Sequence, residues 1–275
     1  MPDSIVITLS GKHFKAITKS GLSLGIILDF EKKQPRFFET PPALAKPFYS
    51  QEFKGSVEQG GPCNVESITA TFHTSGTHTE CVGHISRDRI SLADLIENNL
   101  IASTLVTISP ETIGEDSYHV ATDIKELLIT LKTLKKALAN MNKDFVKGLI
   151  IRTKPNDESK ISRDYDKHPF PYFTSEAMTF IRDLGVHHLL VDIPSVDRAD
   201  DGGQLGNHRI LWEVKLGETI IDPNSCSRRT ITEMIFAPDS IPDGSYILNL
   251  QLPAFASDAS PSRPIIYPIE EIDEN

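Results

Sequence analysis

A chain of 275 residues can bury a substantial core, and no Gly/Ser linker, charge block or fixed-period repeat divides it, so a single domain over 1–275 is expected. The formal charge of −10 argues against nucleic acid and anionic membrane as partners, because both select basic surface, and fits a soluble protein. No apolar run approaches a membrane span, Met1-Pro2-Asp3-Ser4 lacks the basic-then-apolar pattern of a secretory signal, and Cys63, Cys81 and Cys226 form no disulfide framework; a cytoplasmic location is the expectation.

In chain order, Ile5 to Leu9 and Leu22 to Phe30 read as strands. From Lys33 to Pro62 the chain is rich in proline, glycine and aromatics, and reads either as a wall over an apolar pocket (Phe37 to Phe53) or as irregular core. Val65 to Phe72 is expected as a strand, and Ser91 as the N-cap of a short helix through Leu95 and Ile96. Leu105 to Ile108 reads as a strand. Asp123 to Met141 carries Ile124, Leu127, Leu128, Leu131, Leu134 and Leu138 at helical spacing and predicts one amphipathic helix.

Gly148 to Thr153, Thr174 to Leu184 closed by Gly185, and Leu189 to Ile193 read as strand, helix and strand, a parallel βαβ unit. Sites in such units collect at the carboxyl ends of strands, where Asp192, Ser195 and Asp197 of V-D-I-P-S-V-D lie. The tail from Tyr246 alternates as a strand, and Glu270 to Asn275 reads as an acidic, frayed end.

The densest chemistry lies in Phe72 to Ile85, F-H-T-S-G-T-H-T-E-C-V-G-H-I. Imidazole and carboxylate together suit a borderline divalent cation, and a catalytic site needs about three such groups with one position left open for water. On an extended segment His78 and Glu80 point to one side, as does His84 if the alternation holds through Gly83. His73 joins them only if the backbone kinks at Ser75-Gly76-Thr77. The plain alternative is a polar strand of hydrogen-bonded histidines; Cys81 is either a ligand or a small buried apolar residue.

With that stretch, the V-D-I-P-S-V-D segment, His208 in G-N-H-R-I-L-W and the tail S-P-S-R-P on the page, the chain resembles the metal-dependent cyclase family, which includes bacterial kynurenine formamidases and isatin hydrolases. The family pattern H-x-G-T-H-x-D-x-P-x-H is matched by G-T-H-x-E-x-x-x-H at Gly76 to His84, and the likeness runs from about Leu22 to Tyr267. It implies an α/β fold with a mixed β-sheet core and flanking helices, of swivelling β/β/α type.

It also implies one or two Zn or Mn ions, and homo-oligomers. His78 becomes a metal ligand, Glu80 a bridging carboxylate, His84 the general acid/base and His208 the distant ligand. The distal carboxylate falls on Glu233 or, alternatively, Asp222. The family's first histidine falls at Thr74, with His73 one residue early; Glu80 stands for aspartate and Val82 for proline. Asp192 and Asp197 are candidates for orienting ligand histidines or for structural roles at a strand end, and Arg263 for bracing the site or a surface ion pair.

The activity implied is hydrolysis of an amide C–N bond, foremost in an aryl formamide such as N-formylkynurenine, by metal-activated water. A hydrolase of cyclic amides or lactones, and a metal- or small-molecule-binding protein without turnover, are the alternatives.

Overall fold

The computed structural model describes residues 2–96 and 100–272. Its elements begin with β1 (Ile5–Leu9), β2 (Lys12–Ala16), β3 (Leu22–Ser23), β4 (Leu44–Pro47), β5 (Glu66–Thr69), β6 (His78–Glu80) and α1 (Leu92–Leu95). They continue with β7 (Leu100–Ile108), β8 (Leu128–Ile129), α2 (Leu131–Ala137), β9 (Gly148–Thr153), β10 (Tyr172–Phe173) and α3 (Ser175–Asp183). The last are β11 (His188–Val191), α4 (Gly206–Trp212), β12 (Thr230–Glu233), β13 (Gly244–Asn249), β14 (Ala259–Pro261) and β15 (Ile265–Ile272).

One mixed sheet carries the fold, in the order β1-β2-β15-β13-β7-β9-β11-β12-β6-β14 with β3 beside β15. Its centre, β7-β9-β11-β12, is parallel and its flanks are antiparallel. Every residue of β9 and β11 is buried, as expected of parallel strands covered on both faces. On one face Leu149, Ile151, Leu189 and Val191 pack with Met178 and Ile181 of α3 and Trp212 of α4; on the other, Ile150 and Leu190 pack with Leu24, Leu248 and Ile266. This is the α/β class with a mixed sheet. No helix among the described residues is long and apolar enough to cross a membrane.

The β9–α3–β11 unit forms as the pattern predicts: the strands pair in parallel, Thr174 caps α3 by accepting from Ala177 N, and Gly185 follows in the left-handed conformation. The strands expected at Ile5 to Leu9, Leu105 to Ile108 and Tyr246 onward also form. The long helix over Asp123 to Met141 does not. Only Leu131–Ala137 is helical, because Thr130 and Thr133 close a capping box there and Leu128 and Ile129 pair with Tyr172 and Phe173 as strand. Ile124 and Leu127 are exposed, so the apolar spacing serves two environments rather than one helix face.

Leu22 to Phe30 yields only the two residues of β3, and β5 lies in an exposed hairpin with β4 that ends before Phe72. Ser91 precedes α1, but its side chain makes no cap and donates to Phe255 O instead. The acidic end continues as strand through Ile272; the remainder of that segment, 273–275, and Met1 lie outside the described residues.

Two ladders place the site. In the β6–β12 pair Ile231 faces Glu80 and Glu233 faces His78; in the β6–β14 pair Ala259 faces Glu80. Between β6 and β12 the buried Thr79 and Thr232 hydroxyls bond each other at 2.7 Å. Thr79→Val leaves one hydroxyl unpaired and is expected to lower stability by about 1–3 kcal/mol, whereas Thr79→Val with Thr232→Val should recover most of it. Urea unfolding of the three variants checks this.

Candidate metal centre

A kink brings the histidine stretch together. Phe72–Thr74 form one 3-10 turn, Gly76 takes φ of +74, which its missing Cβ permits, and the chain re-enters the sheet as β6. His78 and Glu80 then point to one face with Glu233 beside them, and all three are buried. His208 arrives from α4, whose first turn is fixed by Asp197: its carboxylate accepts from Asn207 N at 2.8 Å and His208 N at 3.2 Å.

The imidazoles converge on the two glutamates. His73 Nδ1 lies 2.8 Å from Glu80 Oε2, His208 Nε2 lies 2.8 Å from Glu80 Oε1, and His78 Nε2 lies 3.5 Å from Glu233 Oε2. Each ring is held by its other nitrogen: His73 Nε2 by Asp258 at 2.7 Å, His208 Nδ1 by Asp197 at 2.7 Å, and His78 Nδ1, which donates to Gly76 O at 3.0 Å. Such outer partners set which ring nitrogen is free to bind. His84 sits on the next 3-10 turn, its ring stacked on His73 with centroids 4.0 Å apart and its Nδ1 3.8 Å from Asp258.

This donor set fits a divalent cation. His73, His78 and Glu80 form one group whose ligand atoms lie within 4.8 Å of one another, and Glu80, His208 and Glu233 form a second that shares Glu80. His78 Nε2 and Glu80 Oε1 are buried with no hydrogen-bond partner, although imidazole and carboxylate groups surround them. Buried polar atoms without a hydrogen-bond partner call for an explanation, and a cation between these groups supplies one.

The electrostatics agree. Burial works against charge on Glu80, but His84 and His208 outweigh it and hold its carboxyl well below the usual range. Burial and the neighbouring Glu80 charge push Glu233 up, so the two acids are driven apart in pKa. Burial likewise opposes charge on His73, but Asp258 and Glu80 push its pKa up to about 10; Glu80 and Asp197 raise His208 well above its ordinary value. The pocket thus concentrates negative charge that either imidazolium protons or a cation can offset.

Other expected residues fall elsewhere. Asp222 is exposed and closes its own turn, accepting from Asn224 N at 2.9 Å and Ser225 Oγ at 3.0 Å, so of the two expected carboxylates it is Glu233 that lies in the cluster. Asp192 does not reach a ligand histidine: it is buried against Lys160 Nζ at 2.7 Å and accepts from Thr153 N and Oγ1, a structural ion pair at the strand end. Arg263 is exposed and runs past Gly25, outside the cavity lining. Cys81 is fully buried, with its thiol pushed up to about 12 by burial, which is the apolar reading. Thr74 bonds Thr40 through its hydroxyl and leaves the cluster to His73. Asp258 and Tyr118, whose hydroxyl donates to Asp197, were not singled out by sequence; Asp258 lies just ahead of the S-P-S-R-P tail, the one signal that pointed to that region.

Beside the cluster opens a cavity of about 400 Å³ lined by Phe37, Phe38, Thr40, Ser195 and Leu205, with His73, Glu80, His84 and His208 at its base. Phe37 and Phe38 meet edge to face, centroids 5.1 Å apart; Phe48 and Tyr49, expected in the same wall, are exposed on the segment that follows β4.

A mixed α/β sheet here gathers three histidines and two glutamates, a set that could hold a divalent cation, at the edge of a cavity open to a small molecule. The family described as "Putative cyclase" matches residues 19–198, and the chain belongs to this cyclase family. A kynurenine formamidase of Bacillus cytotoxicus is 26% identical over 223 residues, covering 80% of this chain and 88% of the relative. One of Bacillus cereus is 27% identical over 225 residues with the same coverage. Isatin hydrolase A from Labrenzia aggregata, bound to benzyl benzoate, shares the fold with a TM-score of 0.57 and 13% identity over 90% of this chain and 93% of its own.

Because the carboxylates beside them push His73 up to about 10 and raise His208 well above its ordinary value, a cation that binds these nitrogens must compete with protons. Addition of zinc to the protein at pH 7 in weak buffer is expected to release protons, and the affinity to rise with pH. An indicator-dye titration checks both.

Proposed function

We propose that this protein is a metal-dependent hydrolase that cleaves the amide C–N bond of an aryl formamide, N-formylkynurenine or a close analogue. The observation that carries the reading is the convergence of His73, His78 and His208 on Glu80 and Glu233 at the base of an aromatic-walled cavity. The kynurenine formamidases similar to this chain support the substrate class. Zinc or manganese, as one or two ions, would suit the ligand set, in which Glu80 is shared by both groups. The cytoplasmic location expected from the sequence and the homo-oligomeric assembly implied by the resemblance belong to the same proposal.

A bound divalent cation supplies Lewis acidity, polarising the formyl oxygen and making water a nucleophile near neutral pH. The chain's own residues do the rest. Asp197, Asp258 and the Gly76 carbonyl hold the three ring orientations, so the donor atoms need no rearrangement. Phe37 and Phe38 receive the aryl ring by stacking or edge contact. His84, half-buried at the cavity base, takes a proton from water and returns it to the leaving nitrogen. Water oxygen joins the formyl carbon as the C–N bond breaks, giving formate and an arylamine.

The test is formate release from N-formylkynurenine by protein loaded with zinc or manganese. His84→Ala is expected to lower kcat by about 10²- to 10⁴-fold while retaining bound metal. Turnover of a cyclic amide without formate release shifts the substrate to that class; metal binding with no turnover of either favours a binding protein.

A further inference from the structure

Asp258 was not expected in the ligand set, yet the fold delivers it to the centre with unusual constraint, its carboxylate lying with His73 and His84 in a third group whose ligand atoms are within 4.8 Å of one another. Ala259 is registered opposite Glu80 in the β14–β6 ladder, Asp258 O accepts from Cys81 N at 3.0 Å, and Ser257 O accepts from Leu92 N at 2.8 Å, so the main chain is tied on both sides of Asp258. On its other flank the backbone of Gly83 comes so close that a Cβ there would lie 2.8 Å from Asp258 Cβ and 2.2 Å from Ile90 O. The carboxylate therefore faces the gap between two imidazoles: it accepts from His73 Nε2 at 2.7 Å and lies 3.8 Å from His84 Nδ1, with those two rings stacked.

His73 has one ring nitrogen toward Asp258 and the other toward Glu80. When a cation takes the place of the Nδ1 proton, a proton kept on Nε2 by Asp258 leaves the Nδ1 lone pair to the Glu80 side of the centre. Asp197 stands in the same relation to His208, which is buried and fixed by its helix. His73 sits on a short 3-10 turn and is partly exposed, with no such support from its own element.

We propose that Asp258 is a positioning residue that fixes the tautomer and orientation of His73 and so makes that histidine a metal ligand. The proposal rests on the metal reading above. In this role the carboxylate acts through His73 rather than as a ligand of its own, which is why its effect is expected to vanish when His73 is removed.

The experiment measures zinc affinity by competition with a chelating dye for the unsubstituted protein, Asp258→Ala, Asp258→Asn, His73→Ala and the double variant His73→Ala/Asp258→Ala, with circular dichroism to establish folding. Asp258→Ala is expected to weaken zinc binding by about 10- to 100-fold. Asp258→Asn, which keeps an oxygen to accept from Nε2, should recover part of that loss and secures the comparison if the alanine variant folds poorly. In the His73→Ala background, Asp258→Ala should add less than about twofold. An unchanged affinity in folded Asp258→Ala and Asp258→Asn, or an equal loss with and without His73, overturns the positioning role while leaving the metal reading intact. Failure of the unsubstituted protein to bind zinc overturns both.

Discussion

The arrangement turns on the carboxylate of Glu80, buried between two imidazoles with one oxygen 2.8 Å from His73 and the other 2.8 Å from His208. A buried charge costs several kcal/mol unless opposite charge and hydrogen bonds compensate it, and a second acid, Glu233, stands in the same pocket. A chain that buries two acids side by side without arginine or lysine beside them has made room for positive charge of another kind. The β6–β12 and β6–β14 ladders, the Gly76 kink and the Asp197 cap on α4 all hold groups around this one carboxylate.

A contrast lies at the neighbouring strand end. Asp192 is also buried and also near the carboxyl edge of the parallel strands, but Lys160 reaches it at 2.7 Å and Thr153 saturates its oxygens. Its charge is settled by a covalently attached cation, and it braces the loop after β9. Glu80 and Asp192 thus show two uses of a buried acid in one sheet, distinguished by whether the chain itself supplies the partner.

The sequence made the local part of this legible. The spacing of His78 and Glu80, the glycine that allows the kink, and the βαβ unit with its Thr174 cap follow from short-range rules of alternation, φ preference and capping. His208 and Glu233 came from likeness to a family, because no local pattern links them to the histidine stretch. Asp258 was missed since its contact with His73 spans most of the chain and depends on strand register. The helix expected at Asp123 to Met141 failed for a related reason: leucines at helical spacing satisfy a strand pair and a capped short helix equally well, and tertiary packing chose the latter.

A crystal grown with zinc and recorded at the zinc absorption edge tests the central claim most directly. The account predicts anomalous density touching Glu80, with ligand distances of about 2.0–2.2 Å to its oxygen and to the free nitrogens of His73, His78 or His208. Zinc bound only at the surface, with Glu80 and its imidazoles still paired to each other, would contradict it.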